Sequence, residues 1–282
     1  MTQAREEIVP GNVVRLSDLV SRVTAPNPGV MTGPGTNAYI VGAGDLALID
    51  PGPESAPHLF AMIEAVGRRL KWILCTHTHL DHSPGAKALK AATGAQLLGF
   101  SKVPDDGRQD TGFAPDRALR DGDMLDCGAF RLRAVHSPGH ASNHLCYLLE
   151  GERWLFTGDH VMQGSTVVIS PPDGDMAVYL KSLERLLALD LAALAPGHGH
   201  VIEKPHDEVR RLIAHRMKRE RKVLDAFEKK NPATLDDLLP LVYDDVPQRI
   251  HPVARRSLHA HLIKLLREDR VREQGENWRL PA

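Results

Sequence analysis

Between positions 76 and 82 the chain reads Thr-His-Thr-His-Leu-Asp-His. Three imidazoles and one carboxylate therefore fall within six residues, His77 to His82, directly after the apolar run Lys71–Thr76. Side chains alternate along an extended segment, so His77 and His79 point to one side. Asp81 and His82 fall where the chain should turn into the next helix and can swing toward a second point. Imidazole nitrogens and carboxylate oxygens are the ligand set for zinc or a similar first-row metal. The bland alternative is a solvated polar loop, but a spacing this specific after a buried-type strand argues against it.

Three further segments share that texture: Ser137-Pro138-Gly139-His140, Thr157-Gly158-Asp159-His160 and Pro196-Gly197-His198-Gly199. Each pairs a strand end with a glycine turn and a ligand-type side chain. A single one would be weak, because a histidine beside a glycine is more often just a turn. Together they place His140, Asp159 and His198 on loops that can meet at one edge of two sheets, where catalytic groups tend to sit. No separate serine or cysteine nucleophile is evident. Cys75, on the buried-type strand, reads as core.

The elements that must carry these loops are legible from patterning. Val13–Leu16, Leu19–Val23, Asn37–Val41 and Leu46–Ile49 read as strands, with turns at Ala25–Gly35 and Gly42–Asp45. Residues 55–70 and Pro84–Thr93 read as helices around the strand Lys71–Thr76, and Gln96–Phe100 is a further strand. Residues 101–126 read as one long polar loop with seven aspartates. Strands resume at Phe130–His136, His144–Glu150 and Arg153–Thr157. A helix follows at Ala177–Leu189, and a brief strand at Leu194–Ala195. This order predicts an α/β (α+β) fold with two sheets inside helices, an αβ/βα layering.

After Pro205 the texture changes, which predicts domains at 1–204 and 205–282. Helices are expected at 206–230, Thr234–Tyr243 with Thr234 as N-cap, and Pro252–Glu268, then a hairpin around Gly275. Helix, helix, helix and hairpin is the order of a winged helix. Charge divides the same way: residues 1–203 hold 17 Lys+Arg against 23 Asp+Glu, and residues 204–282 hold 18 against 13. The net charge of −1 thus hides an acidic body and a basic end. The run Arg216–Lys222, with Arg210, Arg211, Arg255 and Arg256, could guide a phosphate backbone. Equally, it could be a helix face paired with Glu208, Glu220 and Asp225.

Composition excludes other classes. Of 282 residues, 42% are hydrophobic and 25% charged, which is ordinary globular usage and not that of a disordered chain. No apolar run approaches a membrane span. The stretch MTQAREEIVPGNVV lacks an apolar core, so no secretory signal is expected. Three scattered cysteines, Cys75, Cys127 and Cys146, suggest a reducing, cytoplasmic setting. Exposed edges of the β layers are compatible with a homodimer.

At these motifs residues 10–204 resemble the metallo-β-lactamase-fold hydrolases, a four-layer sandwich. The resemblance implies two divalent metal ions, zinc first, with manganese or iron as alternatives. His77, His79 and His140 would hold one ion, Asp81, His82 and His198 the other, and Asp159 would bridge both. Asp50, in Ile49-Asp50-Pro51-Gly52, matches the Asp that supports the metal loops without binding metal. A hydroxide bridging the ions would be the nucleophile, with Asp159 fixing their separation and Asp81 orienting the hydroxide or taking its proton. His144, His160 and His200 adjoin these positions; His144 resembles a recurrent family histidine, and the other two could touch substrate.

Asp159 at the bridge is as in the glyoxalase II and nuclease branches, unlike the secreted β-lactamases. Flavodiiron oxidases carry Glu where His79 stands. The stretch Asn27–Tyr39, Gly164–Val168 and Ala214-His215-Arg216 resemble the β-lactamase-like protein 2 group, endoribonucleases with a C-terminal winged-helix-like domain. That likeness implies phosphodiester hydrolysis, with single-stranded RNA as substrate. The alternative is a thioesterase of glyoxalase II or acyl-CoA type; a persulfide dioxygenase or a non-enzymatic nucleic-acid binder ranks lower.

Overall fold

Short apolar runs separated by glycine turns fold into hairpins, and the chain does so up to Ile49, before its first helix. The computed structural model describes residues 7–281; residues 1–6, part of the stretch read above for a secretory signal, lie outside the described residues. Strands β1 (Val13–Arg15), β2 (Val20–Thr24), β3 (Asn37–Val41) and β4 (Leu46–Ile49) form an antiparallel meander. From β4 the sheet continues in parallel through β5 (Leu70–Leu74), β6 (Gln96–Gly99) and β7 (Arg117–Ala118). Helices α1 (Ala56–Val66) and α2 (Gly85–Thr93) make the crossovers. All five residues of β3 are buried, as expected of a strand covered on both faces.

A second sheet has the order β12-β11-β10-β9-β8, from β8 (Met124–Asp126), β9 (Arg131–His136), β10 (Leu145–Leu149), β11 (Trp154–Gly158) and β12 (Ala193–Pro196). Its β11 and β12 are parallel and its other pairs antiparallel. The two sheets meet over Tyr39, Val41 and Leu74 on one side and Leu132, Tyr147 and Phe156 on the other. Rings of Tyr39 and Phe156 lie 5.2 Å apart. On the outer face of the first sheet, Met62 and Val66 of α1 and Leu89 of α2 cover Leu48 and Ile73. Burying each such side chain contributes roughly 1.5–3 kcal/mol.

The segment 101–126 is not the uninterrupted loop its composition suggests. It contains β7 and β8, of two and three residues, which are too short to show a period. Its aspartates terminate and pin the backbone. Asp116 accepts from Leu97 N–H, Asp121 from His136 N–H, Asp123 from Arg120 N–H and Asp126 from Gly128 N–H.

The chain separates into two compact units. The first runs to Ser137 and takes in Asn143–Ser165 and Asp190–Pro205; the second comprises Pro138–Ser142, Thr166–Leu189 and the chain from His206. The second unit holds α3 (Met176–Leu186), α4 (Pro205–Lys229), β13 (Ala233–Thr234), α5 (Leu235–Val242), α6 (His251–Arg267), β14 (Arg272–Gln274) and β15 (Asn277–Arg279). Thr234 caps α5 in a reciprocal box with Asp237. Phe227, Leu238, Leu258, Leu262 and Trp278 close its core. Gly275, at φ 60°, makes the wing's turn. Among the described residues no helix is long and apolar enough to cross a membrane.

Candidate metal centre

Parallel strands deliver their following loops to one end of a sheet, and in each of the two sheets such loops carry ligand-type residues. Asp50 follows β4, His77 to His82 follow β5, Asp159 follows β11 and His198 follows β12. Strand β9 runs antiparallel to β10, which runs antiparallel to β11, so β9 ends in the same direction and releases the loop carrying His140.

Within the first unit the structure brings together six of the seven residues expected as ligands. Nε2 of His77 and Nδ1 of His79 face each other at 2.9 Å. Asp81, His82, Asp159 and His198 each offer one ligand atom, all within 4.8 Å of one another. His198 Nε2 lies 3.3 Å from Asp81 Oδ2 and 3.2 Å from Asp159 Oδ1. His140, the seventh, belongs to the second unit, where its Nδ1 lies 2.8 Å from the Val168 carbonyl oxygen.

Supporting contacts fix which ring nitrogens are left for ligation. Asp50 accepts from Thr76 N–H and from Thr76 Oγ1, both at 2.7 Å, and its Oδ2 is 3.0 Å from His82 Nδ1. Thr76 Oγ1 donates to Asp50, so it receives the proton of His77 Nδ1 at 3.0 Å. One carboxylate thus sets the tautomer of two histidines and leaves both Nε2 atoms facing the cluster. Asp50 adopts φ 54°, a left-handed conformation that Asp tolerates better than most residues. His198 Nδ1 lies 3.2 Å from the Gly35 carbonyl oxygen, which again leaves Nε2 for ligation.

Electrostatics agree with a cation site. Burial disfavours charge on His198, but Asp159 and Asp81 overturn that penalty and raise its pKa to about 9. Burial likewise opposes charge on His82, and the surrounding Asp81, Asp159 and Asp50 push its pKa well above the usual value. Asp159 is held well below the carboxylate range: burial opposes this, and His198 and His82 outweigh it. Two enclosed carboxylates therefore demand positive charge. Buried His82 Nε2 sits 3.6 Å from Asp81 Oδ2 and 3.3 Å from Asp159 Oδ1. Such convergence of imidazole nitrogens and carboxylate oxygens on one point is how ligands arrange around a common ion, so the residues fit a divalent metal.

Other histidines sort differently. His144 is fully buried and stacks on His77 at 4.9 Å, and His160 is fully buried with its ring 5.9 Å from His144. Both lie in the core, His144 beside His77 and His160 beside His144, and His160 has no exposed surface. His200 is half-buried.

Several bracing residues carry no motif signal of their own. Asn37 Nδ2 donates to the Pro196 and Gly199 carbonyls, at 3.0 and 2.9 Å, clasping the turn that bears His198. Thr78 Oγ1 donates to Gln109 and receives from Asn143, both at 2.7 Å. Such partners lie 31 to 162 residues apart, and only their polar type within apolar surroundings hints at them.

The basic run of the second unit is largely engaged. Arg216 and Arg219 are 2% and 6% exposed, so two of the run's five cations are withdrawn from solvent. Arg219 pairs with Asp245, Lys222 with Asp244, Arg211 with Glu208 and Arg255 with Asp236. Lys218, Arg221 and Arg256 remain exposed.

Comparison with known proteins matches this arrangement. Residues 31–198 fit the family model of the metallo-beta-lactamase superfamily, and residues 234–278 that of the beta-lactamase associated winged helix domain. The chain is 33% identical over 278 residues to the Beta-lactamase-like protein 2 homolog of Drosophila melanogaster, covering 92% of each chain. It is 36% identical over 221 residues to an Atrochrysone carboxyl ACP thioesterase of Aspergillus fumigatus, covering 76% of this chain and 66% of that one. A beta-lactamase domain protein from Burkholderia ambifaria superposes with TM-score 0.84 at 19% identity, covering 99% and 96% of the two chains. With ligand-type residues on the loops after its parallel strands and a matching C-terminal domain, the chain belongs to the metallo-β-lactamase superfamily and is a metal-dependent hydrolase.

Proposed function

We propose that the protein is a two-metal hydrolase of acyl thioesters. His77 and His79 would hold one ion with His140, whose loop leaves β9 at the ligand-bearing end. Asp81, His82 and His198 would hold the other, with Asp159 between them. Zinc suits this all-nitrogen and carboxylate set, as do manganese and iron. Bound there, such ions supply electrophilic charge and activate water at neutral pH. The chain's own residues do the rest. Asp159, with a side chain 12% exposed, is suited to fixing the spacing, and Asp81, 29% exposed, can receive a proton from the reacting water.

What carries the thioester assignment is the surface around the site. Val30 and Met31 are 78% and 47% exposed on the loop whose base meets His198 through Gly35 and Thr36, and Leu80, between two ligands, is 58% exposed. That rim suits an acyl chain better than a polyanion. The thioesterase name of one relative supports the same reading. A phosphodiester of single-stranded RNA is the second reading, favoured by exposed Lys218, Arg221 and Arg256 and by the likeness to the β-lactamase-like protein 2 group.

The test is a substrate panel on zinc-loaded protein: acyl thioesters followed by thiol release, single-stranded RNA, simple phosphodiesters and lactones. Thiol release that Asp159→Ala abolishes is expected. RNA cleavage without thiol release, lost in the same variant, would replace this reading with the second.

A further inference from the structure

We infer that helices α4 and α6 position His140, through the segment 166–169 that receives its imidazole. The inference rests on the reading of His140 as a ligand. All the contacts that carry it lie within the second unit, which unites the loop Pro138–Ser142 with Thr166–Leu189 and the C-terminal helices.

The loop is held at four points. His140 Nδ1 donates to the Val168 carbonyl at 2.8 Å, which leaves Nε2 as the ligating atom. Asp175 N–H donates to the Gly139 carbonyl at 2.8 Å, Ser142 N–H to Asp173 Oδ2 at 2.9 Å, and Ser182 Oγ to the Pro138 carbonyl at 2.8 Å. The loop lies so close on α3 that a methyl group at Gly139 would meet Tyr179 Cα at 2.3 Å.

The segment that accepts His140 is itself pinned from the C-terminal helices. Arg216 of α4 donates to the Val167 carbonyl, and its guanidinium lies 5.4 Å from the centre of the Tyr179 ring. Ile169 N–H donates to Ser257 Oγ of α6 at 3.3 Å. Arg267 of α6 pairs with Asp175. Val167 and Ile169 are buried while Val168 between them is half-buried, as in an extended strand whose alternate residues face opposite ways. With both neighbours of Val168 tied to α4 and α6, its carbonyl has one direction, and that direction sets the imidazole. Arg216 and Ser257 are therefore positioning residues.

Zinc affinity of the full-length apo-protein, measured by competition with a chromophoric chelator, tests this. Ser257→Ala and Arg216→Met should each weaken one of the bound zinc ions by about tenfold, the lower end of what loss of an outer partner costs. Arg216→Lys, which keeps a donor for the Val167 carbonyl, should restore most of it. Arg272→Ala, in an exposed pair with Asp269 of the wing, should bind zinc as the parent does. Should Arg216→Met fail to fold, Ser257→Ala carries the test alone. His140→Ala separates the two ideas. If His140→Ala loses one zinc ion while Ser257→Ala binds as the parent, the positioning role is overturned and the ligand role stands. If His140→Ala keeps both ions, the ligand reading falls and this inference with it.

Discussion

Asp50 Oδ2 lies 3.0 Å from His82 Nδ1 while the same carboxylate accepts two hydrogen bonds from Thr76, so a residue that touches no expected ion orients ligands of two. Asp50→Asn keeps the shape and the left-handed backbone but replaces one acceptor oxygen with a donor. Zinc affinity should fall by about 10–100-fold, the usual cost of losing such a partner. Chelator competition measures it, and unchanged affinity would remove Asp50 from this role.

Gly197 stands where no side chain fits. A methyl group there would lie 2.7 Å from His82 Cε1 and 2.9 Å from Asp159 Oδ1. Gly197→Ala should displace both side chains and cost one metal ion, seen by elemental analysis after dialysis. The Gly158 backbone carbon would also lie within 3.1 Å, and the metal-free fold should lose about 1–3 kcal/mol in urea denaturation.

His58 on α1 is buried with neither ring nitrogen hydrogen-bonded, and burial lowers its pKa to about 4. The unfolded chain takes up this proton near pH 6.5 and the folded chain only near pH 4. The neutral ring's contribution is therefore complete above about pH 6.5 and is lost as pH falls through about 4. His58→Leu should flatten that part of the acid limb. It should also raise stability at pH 7 by about 1 kcal/mol by removing unpaired polar atoms. Urea midpoints at pH 7 and pH 5 test both, and equal midpoint losses in parent and variant on acidification would contradict the assignment.

The exposed cations of α4 separate the two substrate readings. Lys218→Glu with Arg221→Glu should leave thioester kcat/KM within twofold of the parent. Were RNA the substrate, its binding would weaken and the salt dependence would drop by about two phosphate contacts. Binding measured across a salt series decides.

The local elements were legible because their signals are local. Asn37–Val41 and Leu46–Ile49 appear with the expected bounds, and Thr234 caps its helix as expected. β7 and β8 were not legible, since two or three residues carry no period and owe their pairing to neighbours distant in sequence.

The sequence by itself determined the family and the supply of ligand-type side chains, because six consecutive residues hold three histidines and an aspartate and glycine turns mark His140, Asp159 and His198. Tertiary structure decided how those side chains are aimed and which charges reach solvent. Asp50, Asn37 and Gln109 act through partners up to 162 residues away, a relation no local pattern encodes. Likewise the run Arg216–Lys222 holds five cations in seven residues, yet Arg216 and Arg219 turn inward. Helical periodicity alternates faces, but only packing against Val167, Val242 and Asp245 selects which face is buried.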